Sequence, residues 1–354
     1  MHTAAPTAPA VRRFPTGPTG LGTSAARRRP PSAARIPVPE LHCPPPLRDD
    51  PALGVEVNDR LVAWAAETGL HAGRLDLLRD ADFGRMLMLV HPRTDDVGQL
   101  LAIGRCVVVG WAVDDCYCDD RSAGAAPELL GSRLALATTM LDPPPLSAAY
   151  VPDLERAVRD DPVLAALRSA REGMLARATP LQVARACREL GQLFQASGAE
   201  AAWRTSGRLP AVWEYLVNRQ LNSFACCLAL VDAAEGYQLS AETYEDPRVR
   251  RAFLHAALAG AIVNDLYGLA RENAAPGQDF NLPMVLAAEQ RCSLASAVER
   301  SARIHDDLMH AFESASAALI PSASPELVRF LAGLRAWLGG NRAWHAGSGR
   351  YRGV

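Results

Sequence analysis

The 354-residue sequence contains no lysine; all 37 Lys/Arg-class side chains are arginine. That absence removes a phosphate loop of the GK[ST] type and every Schiff-base chemistry. A chain like this that handles phosphate must do so with arginine, backbone amides or a metal. The eight cysteines (43, 106, 116, 118, 187, 226, 227 and 292) form no CxxC pair and no disulfide-framework spacing, so a reduced, cytoplasmic protein is expected. A net charge of −2 gives no electrostatic reason for nucleic acid or an anionic membrane as partner. No uninterrupted apolar run reaches the roughly 18 residues a membrane span needs, and the N-terminus lacks the apolar stretch of a secretory signal.

Residues 1–48 are rich in Pro, Ala, Arg, Gly and Ser ("PTAPAVRRFPTGPTG", "RRRPPSAARIPVPE"). Such a stretch buries too little apolar surface to offset its ordering entropy, so it is expected to be a disordered leader whose removal leaves activity unchanged. From residue 49 the pattern is helical to the end. Thr179-Pro180, Asp246-Pro247 and Ser324-Pro325 each place a capping side chain before a proline at the first helical position. Apolar residues then recur at three- and four-residue spacing, with no strand-type alternation and no repeat of 20–50 residues. The expected fold is all-α: one domain over 49–354, a bundle of roughly ten helices.

Two acidic segments interrupt this apolar pattern. "LLAIGRCVVVGWAV" reads as buried, and "DDCYCDD" follows it at once, with Asp114, Asp115 and Asp119 within reach of one helical face. Carboxylates this close raise one another's pKa unless a cation neutralises them, and an oxygen-only set suits magnesium. Asp pairs are common here (49-50, 95-96, 160-161, 306-307), so the pair alone is weak evidence. The second segment, "NDLYGLARE", sets Asn264, Gly268 and Glu272 along one stripe after the apolar "FLHAALAGAIV". Two apolar helices ending in oxygen ligands could hold magnesium at the mouth of a shared pocket, which is what a diphosphate requires. Arg219 in "PAVWEYLVNRQLNS" and Arg350-Tyr351 in the closing "WHAGSGRYRGV" offer phosphate contacts.

In order and spacing these four segments resemble the class I terpene synthases of the bacterial branch, over residues 50 to 354. The resemblance implies the helical bundle of that family and three Mg2+ ions. Asp114 would be the principal ligand, supported by Asp115 and Asp119, with Asn264 and Glu272 holding the third ion. The family has Ser or Thr where this chain has Gly268. Arg219 would sense the diphosphate, with Asn222 and Ser223 at a break in its helix, and Arg350 and Tyr351 would close over it. Trp111, Phe83, Phe194, Trp203, Phe224 and Trp344 are candidates for the wall of an apolar cation pocket. A closer likeness to one branch implies 2-methylgeranyl diphosphate as substrate and a bicyclic tertiary alcohol as product. Geranyl or farnesyl diphosphate is the alternative, and an impaired isoprenoid-binding protein the second alternative. A homodimer is also implied. A prenyl-chain elongating enzyme would need a second DDxxD and basic residues that usually include lysine, whereas the later site reads NDLYGLARE, the pair at 306-307 continues as LMH, and lysine is absent.

Overall fold

The computed structural model describes residues 36–119, 126–273 and 281–349, with Asp119, Pro127 and residues 270–273 described by backbone alone. The first half holds α1 (Pro51–Glu67), α2 (Leu75–Ala81), α3 (Phe83–Val90), α4 (Val97–Val113), α5 (Pro127–Leu141), α6 (Val151–Asp160), α7 (Pro162–Leu175) and α8 (Pro180–Ser206). The second holds α9 (Val212–Leu221), α10 (Ala225–Leu228), α11 (Val231–Ala234), α12 (Ala241–Glu245), α13 (Pro247–Asn273), α14 (Leu282–Gln290), α15 (Leu294–Leu319) and α16 (Pro325–Gly347). No strand occurs among the described residues. The number exceeds the roughly ten expected because corners such as Asp82, and the break after Leu221, cut longer apolar stretches into pieces.

The three proline-marked starts fall at the expected residues. Thr179 forms a capping box with Gln182 at α8, Ser324 accepts from the Leu327 amide at α16, and Asp246 accepts from the Arg248 amide at α13. Two helical stretches, Val97–Cys118 and Pro247–Leu269, are long and apolar enough to cross a membrane by length and hydropathy. This corrects the expectation drawn from uninterrupted runs, because a single arginine or histidine inside such a stretch barely lowers its mean. They are 67% and 72% buried within the protein, as helices surrounded by others must be.

The leader boundary also shifts. Residues 1–35 lie outside the described residues, but 36–48, assigned to the disordered leader, form an extended strap docked on the bundle. Leu41 is buried, the Cys43 thiol donates to the Leu338 carbonyl at 3.5 Å, and Gly339 lets α16 approach the strap. A Cβ at Gly339 would stand 2.7 Å from the Pro45 carbonyl oxygen, so only glycine fits. Arg48 then closes the C-terminal end of α3, donating from Nη2 to the carbonyls of Met88, His91 and Thr94 at 3.0–3.1 Å and pairing with Asp95. Composition missed this because the strap packs into grooves made by distant helices and has no periodicity of its own. Arg48→Ala should therefore lower the unfolding free energy by about 2 kcal/mol, the worth of charge-assisted bonds to carbonyls. Denaturant titration measures it, and an unchanged midpoint would show the strap to be ornamental.

Candidate active site

The helical rod that begins at α4 does not stop at Val113. It continues as a π-helical segment, Asp114–Asp119, so the aspartates occupy its last turn. The wider winding departs from the α turn on which their shared face was counted, and such insertions are frequent at functional sites. Their position sets them apart from the other Asp pairs. Asp50, Asp96 and Asp161 accept backbone amides at the N-termini of α1, α4 and α7, where the helix dipole favours a carboxylate. Asp306 receives the His42 amide midway along α15. Asp114 and Asp115 stand instead at the C-terminal end of a rod, where the dipole disfavours negative charge.

Tyr117 anchors the segment. Its hydroxyl donates to Asp161 at 2.6 Å and the Arg133 guanidinium lies 5.2 Å from its ring, while Cys116 and Cys118 pack half-buried against the core. The two cysteines thus behave as packing residues. Asp114 and Asp115 are half-buried; the side chain of Asp119 lies outside the described residues.

The second segment lies on α13. Asn264 is half-buried, and its amide is gripped at both ends: Oδ1 accepts from Arg219 Nη2 at 2.9 Å, and Nδ2 faces His345 Nε2 at 3.3 Å. His345 Nδ1 lies 2.9 Å from the Asn341 carbonyl, which can only accept, so this nitrogen carries the proton and Nε2 receives the Asn264 amide hydrogen. That fixes which end of Asn264 is oxygen, assigned by the hydrogen-bond network. An amide oxygen beside a guanidinium is a hard donor of the kind a divalent cation takes. Gly268 is buried on the same helix and brings no side-chain oxygen. The side chain of Glu272 lies outside the described residues, as do Arg350 and Tyr351.

Arg219 is the hub of this region. Besides Asn264 it donates to Asp265 Oδ1 from Nε at 3.0 Å, to the Ala261 carbonyl at 3.1 Å and to the Asn222 carbonyl. Asp265, 3% exposed, also accepts from the Tyr215 hydroxyl at 2.8 Å and from the Leu282 amide at 3.3 Å. Burial pushes the Asp265 carboxyl above its ordinary range, against the pull of Arg219. Burial likewise opposes the Arg219 charge, but Asp265, Tyr215 and Glu200 outweigh it and hold the guanidinium above its usual value. The helix is interrupted just after Leu221, at Asn222 and Ser223. Asn222 and Asn218 both donate to Glu200 Oε1 at 2.9 Å, and Ser223 bonds across the gap to the Gln220 carbonyl and the Ala225 amide.

Between the two segments lies an aromatic cluster. The Trp111 ring is 4.2 Å from Phe83, 5.6 Å from Trp344 and 6.4 Å from Phe224. Phe224 in turn lies 5.1 Å from Trp337 and 6.1 Å from His345, which touches Trp344 at 4.6 Å. The contacts Trp111–Phe224–His345–Asn264 thus run unbroken from the turn before Asp114 to the second segment. Asp82 makes this possible: its left-handed backbone (φ 55°) turns α2 sharply into α3, aiming Phe83 inward. The Asp82 and Ala81 carbonyls at that corner receive the Trp344 indole N–H at 3.0 and 2.9 Å. Four of the six nominated aromatics meet here. Phe194 is buried in the core of α8, and Trp203 packs beneath the Arg208 guanidinium at 5.6 Å.

Sequence reasoning missed Asp265, Tyr215, His345 and Trp337. Asp265 and Tyr215 sat inside quoted motifs as neighbours of nominated residues. His345 precedes Arg350 by little more than one helical turn, and its partner Asn341 one turn earlier was the available signal.

Comparison with known proteins decides the family. Residues 105–311 match the family model for terpene synthase family 2, C-terminal metal binding. The chain belongs to the terpene synthase family. The 2-methylisoborneol synthase of Streptomyces ambofaciens is 38% identical over 353 residues, covering 95% of this chain and 80% of that protein. That of Saccharopolyspora erythraea is 39% identical over 321 residues, covering 88% and 89%. A crystal structure of 2-methylisoborneol synthase from Streptomyces coelicolor A3(2), in complex with Mg2+ and 2-fluoroneryl diphosphate, superposes with a TM-score of 0.83 at 35% identity, over 89% of this chain and 97% of that one. As a terpene synthase this chain is a class I lyase, and both of its acidic segments fall within the matched metal-binding region.

Proposed function

We propose that this terpene synthase is a magnesium-dependent cyclase that converts 2-methylgeranyl diphosphate and water to 2-methylisoborneol and diphosphate. The observation that carries the reading is the aromatic cluster that links the carboxylates at the end of the α4 rod to Asn264 within α13. Support for the substrate comes from relatives named as 2-methylisoborneol synthases, and from their solved structures with Mg2+ and diphosphate analogues.

Asp114 and Asp115, with Asp119 beside them, would hold metal on one side; Asn264 and Glu272 would hold it on the other. Bound magnesium supplies the charge that neutralises the departing diphosphate. Arg219 presents a permanent cation beside Asn264, and Arg350 and Tyr351 would cover the diphosphate from the C-terminal segment. The faces of Trp111, Phe83, Phe224 and Trp344 offer a quadrupole to the carbocation and exclude competing nucleophiles. Purified protein with Mg2+ and the 2-methylgeranyl, geranyl or farnesyl diphosphate, analysed by gas chromatography, tests the reading. Turnover of the farnesyl compound alone would overturn it in favour of a sesquiterpene cyclase. Eight free thiols suit a reducing, cytoplasmic setting, and light scattering reads the homodimer that the resemblance implies.

Gly268 bears on efficiency. A serine there would add the oxygen this position otherwise lacks, so Gly268→Ser should lower the Mg2+ concentration for half-maximal rate several-fold. Turnover measured across a Mg2+ series checks this. An unchanged midpoint would mean that water already completes the coordination.

A further inference from the structure

The strap also meets α15 through three metal-ligating side chains: His42, His310 and Glu313. Their donor atoms all lie within 4.8 Å of one another. His42 Nε2 is 2.9 Å from Glu313 Oε2, and His310 Nδ1 is 3.9 Å from the same oxygen. A tetrahedral zinc ion about 2.0–2.1 Å from each ligand spaces its donors roughly 3.4 Å apart, so the two separations bracket the requirement. The imidazole rings stack at 4.1 Å with 31° between their planes. A divalent metal would engage both rings as neutral nitrogen ligands.

The ligands stand on a rigid frame. His310 and Glu313 are one turn apart on α15, a 26-residue helix. His42 is held between buried Leu41 and half-buried Cys43, and its backbone N–H donates to Asp306 Oδ1 at 2.9 Å. Beside them an open groove of about 490 Å3, lined by His310, Asp306 and Asp307 among others, leaves room for a fourth ligand from solvent. Arg335 lies 3.7 Å from Glu313 Oε1 and leaves Oε2, the oxygen facing both histidines, to the ion.

The geometry points to a zinc-class divalent site of His2Glu composition that staples the N-terminal strap to α15, apart from the magnesium chemistry of the acidic segments. Nitrogen donors select it against magnesium, which prefers oxygen. The test uses the full chain, stripped with EDTA and then held in excess Mg2+ so that the carboxylate sites are occupied. Calorimetric titration with ZnCl2, and with CoCl2 followed by visible absorption, should show one ion per chain, the absorption bands of four-coordinate cobalt, and a raised melting temperature. His310→Ala and His42→Ala should each weaken zinc binding on the order of 100-fold while cyclase turnover in Mg2+ stays at the parent level. Zinc uptake unchanged in the His42→Ala/His310→Ala double variant, or no uptake by the parent, would overturn the site. Neither result depends on which diphosphate the enzyme cyclises.

Discussion

Asp114→Ala should lower kcat/KM for the allylic diphosphate about a thousandfold, a loss of about 4 kcal/mol of transition-state stabilisation, with a far smaller effect on folding. Asp114 occupies the last turn of the α4 rod beside Asp115, a position where the helix dipole does not favour a carboxylate. An Asp114 that serves the metal predicts a melting temperature in EDTA close to the parent's. A residue retained for folding would behave in the opposite way. Steady-state kinetics paired with melts, each with and without Mg2+, separates the two readings. Turnover within tenfold of the parent would remove the acidic segment from the chemistry.

That contrast also explains what could be read in advance. Helix starts were legible because caps are local: Thr179-Pro180 and Ser324-Pro325 carry their own hydrogen bonds within one turn. The acidic and amide segments were legible because they break an apolar pattern that has no local reason to end in carboxylates. The docked strap was not, since Cys43 and Arg48 find partners some 40 to 300 residues away and the segment is neither helical nor periodic. Nor was the π winding at Asp114–Asp119, within which Tyr117 bonds to Asp161, the distant cap of α7. Asp265 stayed hidden for a different reason: beside Asn264 it looked like one more acidic decoration, and only burial shows it to be the counter-ion of Arg219.

Arg219 therefore has two jobs, and substitutions can part them. Arg219→Ala should cost about 3–5 kcal/mol of stability, because it leaves the Asp265 carboxyl buried without its cation. The burial that already raises the Asp265 pKa then acts without that opposing pull. With a folded-state value above the unfolded one, the neutral acid is the form the fold tolerates. The variant's deficit should thus be smallest in acid and should grow as pH rises from the ordinary carboxylate range through the raised value. Pairing Arg219→Met with Asp265→Asn removes both charges and should restore most of the lost stability at neutral pH, as read by denaturant titration. Turnover should stay lost in the double variant, since nothing then fixes the Asn264 amide or presents a cation to the diphosphate. If kcat/KM returned along with stability, Arg219 would be a structural ion-pair partner only, and the diphosphate contact would have to come from elsewhere in the chain.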